Sequence, residues 1–216
     1  MGAFVDITAA DLHRMAAWLA TPQGKPRGGL VVIQTAFGLD EYLQGVCEAY
    51  ARDGYATIAP ALYDRQRRGA VFEHTPAGGK AAGAMRNAFV WDDVLKDVEA
   101  ARRRVASFGR VGIAGYCVGG SIVWLAAHAL GFAAASSYYG KDVVDFLDRQ
   151  PKCPLQLHFG DQDRLIPLSD VAKISAAWPE IPTYVYSAGP GFDAGNPEAA
   201  RIARARTLDL FRKFVG

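Results

Sequence analysis

Six residues, Gly115-Tyr116-Cys117-Val118-Gly119-Gly120, constrain this chain more than any others. A continuous apolar run, Val111 to Ala114, stands before them, and a helix-capable stretch, Ser121 to Leu130, follows. Strand, sharp turn and helix in that order is the context in which a G-x-C-x-G pattern marks a nucleophile elbow. The central residue of such a turn is held in a strained conformation, and the flanking glycines let strand and helix close on each other. Cys117 is expected to project its sulfur at the helix N-terminus, where the dipole and free N–H groups favour a thiolate. The competing reading is a buried cysteine in a tight strand–helix turn.

Around the elbow, apolar strand-like runs alternate with helical patterns. Leu30 to Ile33 reads as a buried strand and Glu41 to Arg52 as a helix with Leu43, Val46, Cys47 and Tyr50 on one face. Ala56 to Ala59 is the next strand, stopped by Pro60, and Asp92 to Val105 has helical periodicity at Val94, Leu95, Val98 and Ala101. After the elbow come strands at Ala133–Tyr139, Leu155–Phe159 and Thr183–Tyr186, with helices at Leu168–Trp178 and Pro197–Val215. This rhythm predicts an α/β fold whose mostly parallel, twisted sheet is covered by helices on both faces. Phe4 to Leu19 is expected to form an antiparallel hairpin at the sheet edge. Residues 61–90 carry Gly, Pro and Arg without clear periodicity and are expected to form a long loop over the carboxyl ends of the strands, where ligands bind in such sheets. With no internal repeat, residues 1–216 are expected to form a single domain.

Composition excludes several function classes. A net charge of +2 offers no case for a nucleic-acid or membrane partner. The clusters Arg65-Gln66-Arg67-Arg68 and Arg102-Arg103-Arg104 are expected to be solvated loop and helix faces. No apolar run approaches the roughly 18 residues of a membrane helix, and Met1 to Ile7 lacks the pattern of a signal peptide. Cysteines 47, 117 and 153 have neither metal-ligand nor disulfide spacing, so no metal is expected and the cytoplasm is favoured.

The chain resembles the dienelactone hydrolase (carboxymethylenebutenolidase) family of α/β-hydrolases over nearly its whole length. Gln34-Thr35-Ala36-Phe37-Gly38-Leu39 is similar to the family's Q-E-x-F-G segment. Asp53-Gly54-Tyr55-Ala56 and Pro60-Ala61-Leu62-Tyr63 resemble its D-G-Y-x … P-D-L-Y stretch. The elbow matches, as does Tyr138-Tyr139-Gly140. His158-Phe159-Gly160-Asp161-Gln162-Asp163 resembles the acid-bearing turn, and Ala188-Gly189-Pro190-Gly191-Phe192 the A-G-H-x-F loop that carries the catalytic histidine.

The resemblance implies an α/β-hydrolase fold and hydrolysis of a small ester or lactone by a Cys-His-Asp triad. Cys117 would be the nucleophile and Asp163 the acid, with Pro190 in the position of the base. The backbone N–H groups of Val118 and Ala36 would form the oxyanion hole. Thr35 stands where the family has a glutamate that contacts the sulfur, and Asp193-Ala194 follow Phe192 where an arginine would hold a substrate carboxylate. Phe37, Tyr63, Tyr139 and Phe192 are candidates to line an apolar pocket. No organic cofactor is implied.

Proline cannot move a proton, so the resemblance implies reduced or atypical activity. Loss of a triad base costs on the order of 10³–10⁶ in rate, while the oxyanion hole and binding retain roughly 10³–10⁴ over water. Alternatives are a non-catalytic descendant that binds a small carbonyl or carboxylate ligand, and a chain whose histidine was removed by engineering or a single-base change. Among other histidines, His74 lies in the 61–90 segment and is the first candidate for a substitute base; a solvated loop residue is the competing reading. His158 is expected in the core, His128 late in the elbow helix, and His13 in the hairpin. Ser121 is an ordinary helix residue.

Overall fold

Alternation of short apolar strands with amphipathic helices leaves each strand to be covered from above and below, and the computed structural model, which describes residues 2–216, does this with one eight-stranded sheet. The strands are β1 (Ala3–Thr8), β2 (Arg14–Ala20), β3 (Gly29–Ile33), β4 (Ala56–Pro60), β5 (Val111–Tyr116), β6 (Ala134–Tyr138), β7 (Leu155–Gly160) and β8 (Thr183–Tyr186). Their spatial order is β1-β2-β4-β3-β5-β6-β7-β8. The expected hairpin forms the antiparallel edge, β1 on β2 and β2 on β4. All later pairings are parallel. Pro60 belongs to β4 rather than ending it, opposite Ala17.

The helices are α1 (Glu41–Arg52), α2 (Pro76–Asn87), α3 (Trp91–Val105), α4 (Val118–Ala129), α5 (Leu168–Ala177), a short α6 (Phe192–Gly195) and α7 (Pro197–Phe214). Tyr50 of α1 meets Phe211 of α7 on one side of the sheet, while α3 and α4 pack together on the other. Every residue from Val118 to Ala127 is buried, which suits a helix apolar all round. Strands β3, β4 and β5 are buried on both faces, so they appear in sequence as unbroken apolar runs.

The segment 61–90 is not the expected loop. Leu62–Arg65 makes a 3-10 turn, and α2 follows with the Thr75 side chain capping Gly78 N–H and Pro76 in its first turn. The cap and proline start the helix despite Gly78, Gly79 and Gly83, whose low propensity hides it from periodicity. Arg65 is not solvated either: its guanidinium donates to Asp97 at 2.7 and 2.8 Å and also pairs with Asp11.

Chain order turns back between β3 and β5, since β4 lies on one side of β3 and β6 on the other side of β5. In open α/β sheets the crevice at the carboxyl ends of such a pair is where ligands bind. The segment after β3 and the elbow after β5 both open there.

Candidate active site

The elbow has the geometry that its sequence implies. Cys117 sits between β5 and α4 at φ 57° and ψ −120°, a region that costs an L residue on the order of 1–3 kcal/mol. The neighbours must be glycine: a Cβ on Gly115 would lie 2.3 Å from Gly119 O, and one on Gly119 would lie 2.6 Å from Gln34 O. Buried Gln34 fixes the facing turn, its Oε1 accepting from Leu62 N–H at 3.1 Å.

The backbone N–H groups of Val118 and Ala36 both reach the Cys117 sulfur. They are the two donors expected to hold an oxyanion. One expectation is overturned here. The thiol is not biased toward thiolate: burial pushes its pKa up, outweighing the two amides, and the Asp142 carboxylate adds to the rise while Arg86 opposes it. Desolvation penalises the charged sulfur more than a few N–H dipoles repay.

Cys117 opens into a cavity of about 550 Å³, also lined by Thr35, Phe37, His74, Tyr139, Asp163 and Pro190. Thr35 turns its Oγ1 to Phe37 N–H at 3.2 Å and so stabilises the turn that carries Ala36. Asp163 is buried, with Oδ1 accepting from Leu165 N–H at 2.8 Å. The 187–194 loop is tied to the acid turn by Gln162 N–H on Ala188 O at 3.0 Å and Ala188 N–H on Asp161 Oδ1 at 3.1 Å. Thus Cys117, Asp163 and position 190 share one cavity, and the last has no imidazole.

Two expected pocket residues lie behind the wall instead. Tyr63 is buried, its hydroxyl donating to Ala36 O at 2.8 Å, so it holds the turn that carries Ala36. Phe192 is buried among Tyr138, Tyr139 and Tyr186. Both were plausible from position alone; burial of their rings in the aromatic layer removed them from the surface.

The remaining histidines separate cleanly. His158 is fully buried, with Nδ1 2.8 Å from the Tyr186 hydroxyl, and burial pulls its pKa down to about 3. His128 donates to Gln150 O at 2.9 Å on the far end of α4. His13 lies in the β1–β2 turn. Ser121 is bound to Asp142, 2.9 Å from Oδ2, and does not line this cavity. Of the histidines, only His74 lines the cavity, together with Asp193 at the expected clamp position and with Tyr42, Lys141, Leu165 and Ile166, which position in sequence did not single out. Asp193 Oδ1 accepts from the Tyr139 hydroxyl, Oδ2 is buried without a partner, and burial raises its pKa to about 7.

Among the described residues there is no cluster of His, Cys, Asp and Glu fit to hold a metal, and no helix is long and apolar enough to cross a membrane.

The sheet order, the elbow and the two amides facing its central residue define an α/β-hydrolase. The match to the dienelactone hydrolase family model runs over residues 15–215. The chain belongs to that family and is a hydrolase of its type. It is 30% identical to a carboxymethylenebutenolidase of Pseudomonas sp. strain P51, over 97% of this chain and 94% of that one. It is 29% identical to the carboxymethylenebutenolidase of Pseudomonas putida, over 95% and 94%. A provisionally named dienelactone hydrolase of Klebsiella pneumoniae superposes with a TM-score of 0.85 at 26% identity, covering 98% of this chain and all of the other.

Proposed function

We propose that this hydrolase cleaves small esters or lactones through Cys117. The observation that carries the reading is the sulfur on a strained elbow with the backbone N–H groups of Ala36 and Val118 both donating to it. Attack by the sulfur on a carbonyl places the developing oxyanion within reach of those donors, which are preorganised and water-shielded. The cavity walls of Phe37, Tyr139, Leu165 and Ile166 suit a small, largely apolar acyl group.

The carbonyl chemistry is complete on this reading, but the proton chemistry at position 190 is not. Turnover is therefore slower than a full triad would give. The second reading, a binder that no longer turns over, is favoured by the raised thiol and by an Asp163 that has no imidazole to orient. The deciding experiment is hydrolysis of p-nitrophenyl acetate by the parent and by Cys117→Ala. Turnover lost in the variant supports the reading. Equal background rates in both leave the binding role as the better one.

A further inference from the structure

A histidine–carboxylate pair borders the same cavity through His74. His74 Nε2 lies 2.8 Å from Asp40 Oδ2. A carboxylate oxygen accepts, so Nε2 carries the hydrogen and the neutral ring presents Nδ1 as an acceptor. Among the described residues Nδ1 has no hydrogen-bond partner. The ring is stacked on Phe37, with centroids 3.9 Å apart and planes 20° apart. Phe37 directly follows Ala36, the oxyanion donor, so the imidazole rests on the segment that cradles the sulfur. Asp40 is itself fixed: it is nearly buried and caps α1, Oδ1 accepting from Leu43 N–H at 2.9 Å. His74 remains 57% exposed at the cavity mouth, accessible to a substrate or a water.

We propose that the His74–Asp40 pair supplies the base that position 190 lacks; this rests on Cys117 being the nucleophile. The Cys117 thiol proton passes to His74 Nδ1 through water in the cavity that both line. The thiolate attacks the ester carbonyl carbon, and the C–S bond forms as the carbonyl electrons move onto oxygen, held by Ala36 and Val118. The C–O bond to the leaving group breaks, and the alkoxide takes the proton from Nδ1. A water then gives its proton to Nδ1, its oxygen attacks the thioester carbonyl, the C–S bond breaks, and the sulfur recovers the proton. Asp40 is a positioning residue. It holds the tautomer and stabilises the imidazolium in each transfer.

Other titratable groups facing the cavity are Tyr42 of α1, Tyr139 and Lys141 after β6, Asp163 after β7 and Asp193 of α6. Of these Asp193 has its pKa raised to about 7 by burial, and Asp193→Asn separates its contribution.

The test uses His74→Gln and Asp40→Asn. Asparagine keeps the capping oxygen for Leu43 but cannot accept the Nε2 hydrogen at its amide nitrogen. Expected is a loss in His74→Gln of about a hundredfold in kcat/KM on an ethyl ester, within the range of a general acid–base group. The loss should be smaller on the matching p-nitrophenyl ester, whose leaving group needs no proton. Added imidazole should restore part of the rate. Asp40→Asn should displace the limb of the pH–rate profile assigned to His74. A His74→Gln variant within twofold of the parent on both esters overturns the proposal. So does a pH profile unchanged in Asp40→Asn.

Alkylation of Cys117 by iodoacetamide from pH 6 to 9 gives a readout that needs no turnover. Coupling through His74 makes the rate profile move in His74→Gln, and superimposable profiles refute the assignment. Loss of turnover in Cys117→Ala with full activity in His74→Gln sinks the base alone. Full activity in Cys117→Ala sinks the nucleophile as well.

Discussion

The two rims of the cavity are built from the same parts in opposite states of completion. On the rim formed by residues 160–194, Asp163 is buried and oriented by Leu165 N–H on its Oδ1, but position 190 is proline. On the rim formed by residues 35–74, an imidazole has its carboxylate, 2.8 Å away, and a free second nitrogen. The first rim is the one that motif spacing points to, and it holds no imidazole. The second has no motif and holds one. A proton acceptor is defined by where its lone pair stands and what holds the ring, not by the loop that delivers it.

The largest effect expected is common to both rims. Cys117→Ala should lower ester turnover by at least about 10³-fold, since no route around the sulfur remains. The comparison itself is broken or kept by the next pair. His74→Gln should cost on the order of a hundredfold in kcat/KM and Asp163→Asn several-fold less, measured on one ethyl ester. The reverse order would return the catalytic weight to the first rim.

Repairing the first rim should then rescue damage to the second. Pro190→His placed in the His74→Gln background is expected to raise kcat/KM at least about tenfold, or about 1.4 kcal/mol of transition-state stabilisation. Adding Asp163→Asn to that double variant should remove the gain. No gain in a folded protein would mean that Thr35 and the 191–196 loop hold the new ring away from the sulfur, where small misplacements cost orders of magnitude.

The smallest effect concerns stability. Asp193 has its folded pKa raised to about 7 by burial, so the folded state holds an extra proton between the ordinary carboxylate range and pH 7. Its contribution to stability therefore falls as pH rises through that window. His158, lowered to about 3, acts in the opposite sense: the unfolded chain binds the proton that the folded one refuses, and stability falls as pH drops below about 6.5. In the parent the two slopes oppose each other between about pH 4 and 6.5. Asp193→Asn removes one of them, so its Tm should fall more steeply than the parent's from pH 7 to pH 5. Parallel curves would show that Asp193 does not hold its proton in the folded state.

Much of this was legible in the residues. The glycines about Cys117 announced the elbow, and the buried strands showed themselves as unbroken apolar runs because both faces of the sheet are covered. The helices Glu41–Arg52 and Trp91–Val105 followed from their period, whereas α2 was hidden by its glycines, because its start is set by a cap and a proline rather than by an apolar stripe.

The sequence by itself determined the order of elements, the identity of the elbow residue and the absence of an imidazole at position 190, because each is a matter of local pattern. Only the tertiary structure decided the state of the thiol, the withdrawal of Tyr63 and Phe192 into the wall, the raised carboxyl of Asp193, and the meeting of His74 with Asp40 across 34 positions. Burial and the pairing of groups distant in sequence depend on which surfaces the sheet order brings together, and no window of neighbouring residues contains that information.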